Sequence, residues 1–300
     1  MKALVCYNPK SGKQKLAKNI DYIKKSLKGM YDVDVYETTG EKSLIYHLEE
    51  HAKEYDLLIV SGGDGTLNET VTGVMRGNAN PKIAYVPGGT CNDVGSMLKL
   101  SKNVKNTIKL ILKDQYEEMD ICQVEDKYFV YVFGVGKFID ISYATPHKFK
   151  RKFGKLAYYI YALKELTMDQ KLKCKIEFDG KEVEGDYYVV LGLNSNHLSG
   201  FSIWRKNSIK LNDGLFDLTL IHKEKKMTFL RLADFVLFGD YASRYGIETY
   251  QVSKMKITSE EEVPFNIDGE FGFKTKQCEV ELIPKAIKMI VSSKAKKKYF

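Results

Sequence analysis

The sequence predicts two halves, a parallel α/β half followed by a mainly antiparallel β half. Up to about Glu117, short apolar runs alternate with apolar patterns of helical spacing. Beyond it, strand-like segments separated by short turns dominate. The late apolar stretch Ile287–Val291 is suited to pair again with an earlier layer. A chain of 300 residues suits two domains better than one, and 44% hydrophobic residues can fill sizeable cores.

In chain order, Lys2–Tyr7 reads as a strand, Asn8–Lys13 as a turn, and Leu16, Ile20, Ile23 and Leu27 as one helix face. A strand at Val33–Tyr36, a helix at Lys42–Ala52 and buried strands at Leu57–Val60 and Ile83–Val86 complete the parallel pattern. In the second half the expected strands are Met119–Glu125, Tyr128–Val135, Lys173–Phe178, Val183–Leu193, Leu215–His222, Val252–Thr258 and Cys278–Leu282. Helices are expected at Lys155–Leu166 and Met227–Phe238, and a hairpin turn at Asn266–Glu270. No internal repeat or low-complexity linker separates the halves, which implies a firm cleft between them.

Ligands of parallel α/β sheets gather at the carboxyl ends of the strands. Three turns follow strands here, at Asn8–Gly12, at Ser61–Glu69 and at Pro87–Asp93, and they should converge on one crevice. In Ser61-Gly62-Gly63-Asp64-Gly65-Thr66 the glycines let a ligand approach the main chain. The helix that follows offers free N–H groups and a positive dipole end, both suited to phosphate. Asp64 is unexpected in such a cradle. Its charge repels phosphate unless a cation lies between them, so it implies Mg²⁺.

Asp93 and Asp120 are further carboxylates expected near that crevice, and together with Asp64 they suit a divalent metal held directly or through water. Asp93 can equally cap the helix after it. Asp213-Gly214-Leu215-Phe216-Asp217 is explained by an Asx turn or by a structural cation on Asp213 and nearby carbonyls. The five histidines show no metal spacing, and no Ser/His/Asp arrangement is recognisable, which leaves nucleophilic hydrolysis without support. The five cysteines form no CxxC pair and read as core residues.

Net charge is +8. Two basic clusters stand out, His147–Phe153 and Lys294–Phe300, readable as solvated surface and a frayed terminus or as attraction to an anionic membrane. No nucleic-acid-binding motif is visible. No apolar run reaches the ~18 residues of a membrane helix. The N-terminus lacks a signal-peptide pattern, so a cytoplasmic protein is expected.

Five motifs, in order, then give a resemblance: Asn8-Pro9-Lys10-Ser11-Gly12, Gly62-Gly63-Asp64-Gly65-Thr66 with Asn68-Glu69, Gly89-Thr90-Cys91-Asn92-Asp93, Asp213-Gly214-Leu215-Phe216-Asp217 and Asp268-Gly269-Glu270. Over nearly its whole length the chain resembles the bacterial soluble diacylglycerol kinase family, relatives of the eukaryotic diacylglycerol and sphingosine kinase catalytic domains. The second motif alone is shared with NAD kinases and phosphofructokinases. The resemblance implies a nucleotide-binding α/β domain at 1–122 plus 286–300, and a β-sandwich-like lipid-substrate domain at 123–285.

It also implies ATP contacts at Asn8, Pro9, Lys10, Ser11 and Gly12, at Thr38 or its neighbour Thr39, at Gly63, Asp64, Gly65, Thr66, Leu67, Asn68 and Glu69, and at Thr90. Asp64, Asp93 and Asp120 would form a water-linked Mg²⁺ network, and Glu270 would be the general base. A structural Mg²⁺ would be held by Asp213 with the carbonyls of Lys210 and Leu215. Tyr158, Tyr159, Tyr161 and Phe201 are core residues or an acceptor site.

Two departures from the family's pattern lie in the lipid-facing half. Phe129-Val130-Tyr131-Val132 stands where an asparagine is common, and Trp204–Ser208 where a proline and an alanine are. The expected activity is an ATP- and Mg²⁺-dependent lipid kinase acting on diacylglycerol, in peripheral contact with an anionic membrane. Phosphatidylglycerol or a sphingoid base as acceptor, a non-catalytic nucleotide- or lipid-binding regulator, and a homodimer stay open.

Overall fold

The computed structural model describes residues 1–8, 16–40, 42–89, 91–136, 172–198, 201–202, 209–223 and 246–300. Pro9, Lys10, Ser11, Gly12, Thr90, the basic cluster 147–153, the helices expected at 155–166 and 227–238, Tyr158, Tyr159, Tyr161 and the segment 204–208 lie outside the described residues. The chain divides into two compact units, Met1–Ile121 with Pro284–Phe300, and Cys122–Ile283.

In the first unit, β1 (Lys2–Tyr7), β2 (Asp32–Glu37), β3 (Leu57–Gly62) and β4 (Lys82–Pro87) pair in parallel in the order β2-β1-β3-β4. Lys288 and Met289 add a further parallel strand beside Lys82 and Ile83. Every residue of β3 is buried, as a central strand covered on both faces requires. Alternate residues of the sheet, Ala3, Val5, Leu57, Ile59, Ala84 and Val86, form one core with α1 (Ile20–Leu27) and α5 (Val104–Leu112). Ile23, Leu27, Val104, Ile108 and Ile111 are the helix contribution to it.

Helices α2 (Ser43–His51) and α3 (Asp64–Arg76) pack on each other at backbone range. A Cβ on Gly73 would stand 2.7 Å from Leu48 Cβ and 2.8 Å from the Ile45 carbonyl oxygen, so only glycine fits. The short α4 (Asp93–Met97) follows β4.

The lysine-rich terminus is not frayed. Ser293–Tyr299 forms α6, capped by the Ser292 hydroxyl accepting from Ala295 N at 3.1 Å. Ala295 and Tyr299, one helical turn apart, are both fully buried. That i, i+4 pair anchors the helix and leaves Lys294, Lys296, Lys297 and Lys298 exposed.

The second unit is antiparallel. It contains β6 (Lys127–Phe129), β7 (Val132–Gly136), β8 (Leu172–Phe178), β9 (Lys181–Leu193), β12 (Phe216–His222), β13 (Ile247–Val252) and β14 (Lys254–Ile267). The end of β5 (Tyr116–Val124), most of β15 (Glu270–Ile290) and the two-residue pair β10 (His197–Leu198) and β11 (Phe201–Ser202) complete it. Two long strands each serve two layers. Residues 181–187 of β9 pair with β8, and 189–193 with β7. Residues 255–259 of β14 pair with β8, and 265–267 with β7. The register of β14 on β15 shifts between Thr258 and Val263, where the strand changes layer. The result is sandwich-like, with Phe129, Phe133 and Phe265 stacked at 5.8 and 5.4 Å between ring centres in its core.

The sequence places strands at 252–258 and 278–282, and the structure makes β14 and β15 far longer. Glu260–Glu262 and Lys274–Lys276 look like loop residues in one dimension; Glu260–Glu262 and Lys276 fall in the break of register, while Lys274 and Thr275 pair with Pro264 and Val263, so the strands continue through the charged runs. Cys6, Cys122, Cys174 and Cys278 are buried free thiols, and burial pushes Cys174 up to about 12, as inert core residues require. Among the described residues no helix is long and apolar enough to cross a membrane.

His47 on α2 stacks on Tyr36 with ring centres 3.7 Å apart, and its other neighbour, His51, lies 4.9 Å away. Burial first, then the His51 charge, lower its pKa, against the pull of Glu50 and Glu54. Below the ordinary value of 6.5 the unfolded chain therefore binds a proton that the fold resists, and stability falls as pH drops through that window. His47→Gln should flatten this acid limb in thermal melts between pH 7 and 5. Parallel wild-type and variant profiles would count against it.

Candidate active site

The site in the first unit is built where β3 and β4 end. Gly62 closes β3, Gly63 is the N-cap of α3, and Asp64 is the first helical residue. The turn after β4 lies directly on it. The amides of Gly88 and Gly89 donate to the Gly62 carbonyl at 2.7 and 3.2 Å. A Cβ on Gly89 would come within 2.5 Å of Gly63 Cα, so the two turns touch backbone to backbone.

Asn92 locks the second turn. It adopts the left-handed conformation at φ 53°, which asparagine tolerates. Its Oδ1 accepts from Gly89 N at 2.7 Å, and its Nδ2 donates to the Gly89 carbonyl at 2.6 Å. Beneath both turns the buried Tyr85 hydroxyl donates to the Gly62 carbonyl at 3.0 Å and reaches Asn92 Oδ1 at 3.4 Å. Burial raises the Tyr85 pKa well above its ordinary value, and the charges of Asp64 and Asp93 add to the rise. Tyr85 and Asn92 carry the turn geometry, and sequence reasoning missed both roles. Asn92 had one signal, a residue fit for positive φ behind a double glycine. Tyr85 looked like any strand residue.

This arrangement stations the starts of α3 and α4 together and places Asp64 between them. Burial raises the Asp64 pKa, while the amides of Asp93, Val94 and Asn92 favour the ionised form. Its Oδ1 is buried without a hydrogen-bond partner. Asp93, the first residue of α4, is fully buried in the same neighbourhood around Tyr85. Asp120 is also fully buried, and its Oδ1 accepts from Lys285 N at 2.7 Å. Among the described residues no three His, Cys, Asp or Glu side chains come together as a ready-made metal cluster.

Gly65, Thr66, Asn68 and Glu69 line the first turns of α3 half-buried. Leu67 is 1% exposed and turned into the core, so only its backbone can face a ligand. The Thr70 hydroxyl bonds the Thr66 carbonyl at 2.8 Å. Asn8 follows β1, and Thr38 follows β2 with its amide on the Tyr7 carbonyl at 3.0 Å. The loop beyond is held by the Ser43 hydroxyl, which accepts from Thr39 N at 3.2 Å and donates to the Gly40 carbonyl at 2.9 Å.

In the second unit Glu270 opens β15, exposed, opposite Ile267. The intervening turn is Asp268-Gly269, and Asp268 is turned inward with 5% exposure. Asp213 forms an Asx turn, its Oδ1 accepting from Leu215 N at 3.1 Å. Lys210 lies in the same loop, between buried Ile209 and Leu211.

A parallel sheet whose glycine turn buries a carboxylate beside two helix starts is the site of a phosphate-handling α/β protein. The chain matches the "Diacylglycerol kinase catalytic domain" over residues 2–124 and the "YegS C-terminal NAD kinase beta sandwich-like domain" over residues 141–291. A diacylglycerol kinase from Bacillus subtilis (strain 168) is 30% identical over 274 residues, 90% of each chain. One from Staphylococcus haemolyticus (strain JCSC1435) is 30% identical over 91% of this chain and 83% of its own. A crystal structure of a diacylglycerol kinase from Bacillus anthracis str. Sterne superposes with a TM-score of 0.80 at 28% identity, covering 98% of both chains. The chain belongs to the diacylglycerol kinase family. It is a lipid kinase, with the α/β and β-sandwich-like fold that the sequence predicts.

The contact between the two glycine turns is the site's most exacting feature. Gly89→Ala must push the turns apart, at about 1–3 kcal/mol for overpacking. We expect a lower melting temperature for this variant. An unchanged one would show that the turns are free to separate.

Proposed function

We propose that the chain transfers the γ-phosphoryl group of ATP to the free hydroxyl of diacylglycerol, giving phosphatidate and ADP. The observation that carries the nucleotide side is Asp64, with a buried, unpartnered oxygen among glycine backbone and helix starts. The lipid side is supported by the relatives, which are diacylglycerol kinases over nine-tenths of this chain.

The donor set fits Mg²⁺. That ion takes one or two carboxylates and completes its shell with water and phosphate oxygens. Asp64 would hold it, with Asp93 and Asp120 acting through water. Bound there, it would neutralise charge on the phosphates. The backbone from Gly63 to Glu69 would receive the phosphates, with Leu67 contributing main chain alone. Asn8, Pro9, Lys10, Ser11, Gly12, Thr38 and Thr90 would complete the nucleotide contacts.

The acceptor oxygen attacks the γ-phosphorus as the bond to the β-phosphate oxygen breaks. The hydroxyl proton passes to the Glu270 carboxylate, and ADP leaves. At Asp213 the Leu215 amide already engages Oδ1, so a structural Mg²⁺ would take the other oxygen with the carbonyls of Lys210 and Leu215. The exposed Lys294, Lys297 and Lys298 of α6 suit peripheral contact with an anionic bilayer on its cytoplasmic side, at ~1 kcal/mol each near the surface, while Lys296 is paired with Glu117.

Purified protein with ATP, Mg²⁺ and mixed micelles should label phosphatidate when diacylglycerol is supplied. Label on phosphatidylglycerol or a sphingoid base instead would replace the acceptor, and label on no lipid would sink the proposal. Glu270→Gln should lower turnover by roughly 10²–10⁴-fold, the usual worth of a general base, with ATP affinity retained. Wild-type turnover in that variant would remove Glu270 from the mechanism.

A further inference from the structure

We propose that Asp268 is a positioning residue of this site, its buried carboxylate fixing the turn that presents Glu270. The inference rests on Glu270 as the base.

A two-residue connection joins β14 to β15, with Ile267 opposite Glu270. Both turn residues have positive φ, 49° at Asp268 and 84° at Gly269, as a type I′ hairpin requires. The Gly269 amide donates to Asn266 Oδ1 at 2.9 Å, which closes the turn from within. These features shape the hairpin. None of them says where its tip stands relative to the unit that carries it.

Asp268 supplies that. Its Oδ2 accepts from Val130 N at 2.8 Å, and its Oδ1 accepts from Tyr131 N and Val132 N, each at 3.0 Å. Its own amide donates to the Val132 carbonyl at 2.8 Å, extending by one rung the ladder that pairs β14 with β7. The Tyr131 hydroxyl donates to the Asp268 carbonyl at 3.1 Å. Side chain, amide and carbonyl of one residue are thus all tied to the link between β6 and β7 and to the first residue of β7. Glu270, two residues on, is exposed. Its backbone is fixed through Asp268 while its side chain stays open to a substrate.

The turn alone does not need this charge. Asn-Gly makes a type I′ hairpin as well as Asp-Gly does. An asparagine at 268 keeps one acceptor oxygen and sets an NH₂ group against one of the three amides. The carboxylate is matched to three donors converging on it, and such charge-assisted bonds are about twice as strong as neutral ones. Rigidity of this kind matters because a misplacement of ~1 Å can cost 10²-fold in rate.

The test compares wild type with Asp268→Asn, Asp268→Ala, Tyr131→Phe and Glu270→Gln in the micelle assay. ATP titration counts competent sites, and melts are recorded beside the assay. Asp268→Asn should lower turnover per ATP-binding site by at least about tenfold, with KM for ATP within about twofold and the loss persisting well below the melting temperature. Asp268→Ala should fall further. Tyr131→Phe, which keeps the carboxylate and loses one outer bond, should fall less. A purely structural Asp268 would instead reduce the number of competent sites and leave turnover per site at the wild-type value, which overturns the inference. If both Asp268 variants fail to fold, Tyr131→Phe decides, and unchanged turnover per site in it also overturns the inference. Wild-type turnover in Glu270→Gln would overturn the base assignment itself. An inactive Glu270→Gln beside a fully active Asp268→Asn overturns only the positioning role.

Discussion

The backbone contact between the turns after β3 and β4 governs the first unit's site. Neither turn can retreat, because each strand is held in a parallel sheet with both faces covered. The ends of the strands therefore meet at main-chain distance, and only glycine at 89 permits it. Once they meet, the Gly62 carbonyl collects the amides of Gly88 and Gly89 and the Tyr85 hydroxyl. The starts of α3 and α4 are then fixed side by side. Asp64, the first residue of α3, then meets the amides that open α4. A carboxylate is thereby held where burial opposes its charge and backbone dipoles favour it.

The two turn aspartates, one in each unit, differ in how the chain satisfies their carboxylates. Asp64 and Asp268 both sit beside glycine at tight turns, and composition cannot separate them. Their hydrogen bonding does. Asp268 is buried with three backbone amides on its oxygens, which converts a liability into an anchor. Asp64 keeps one buried oxygen without a donor. The same side chain thus serves one unit as a tether, while in the other it keeps an acceptor that the backbone does not engage.

That contrast also sets how far the sequence could be read. The β–α alternation, the glycine turns and the antiparallel half were legible because periodicity and turn chemistry are local. The lengths of β14 and β15 were not, since the exposed charged runs at 260–262 and 274–276 break the apolar alternation where the pairing itself shifts register. The end helix α6 was hidden by its lysines, and only the spacing of Ala295 and Tyr299 marked it. The partners of Asp268 had no signal at all. They are backbone amides, which every residue but proline carries, so Val130, Tyr131 and Val132 need no particular side chains to act. This explains why the departure from the family's pattern at 129–132 leaves the anchor intact.

Glu270 itself has a fixed backbone and an exposed side chain, and the combination has a cost. Freezing a glutamate's rotamers takes up to ~1.5–2 kcal/mol, and if Glu270 takes the acceptor proton as proposed, that cost is met when substrate arrives. A kinase for a small soluble acceptor gains by meeting it in the fold, with the base packed in advance. A lipid acceptor is different, because its hydroxyl is presented at the depth and tilt of a membrane surface rather than in a pocket of fixed shape. A rigid stem with a mobile carboxylate can meet a range of such approaches while the backbone keeps the error small. With Glu270 as the base, the inward Asp268 and the outward Glu270 would form one device. The tight bonding of the first would make the looseness of the second tolerable.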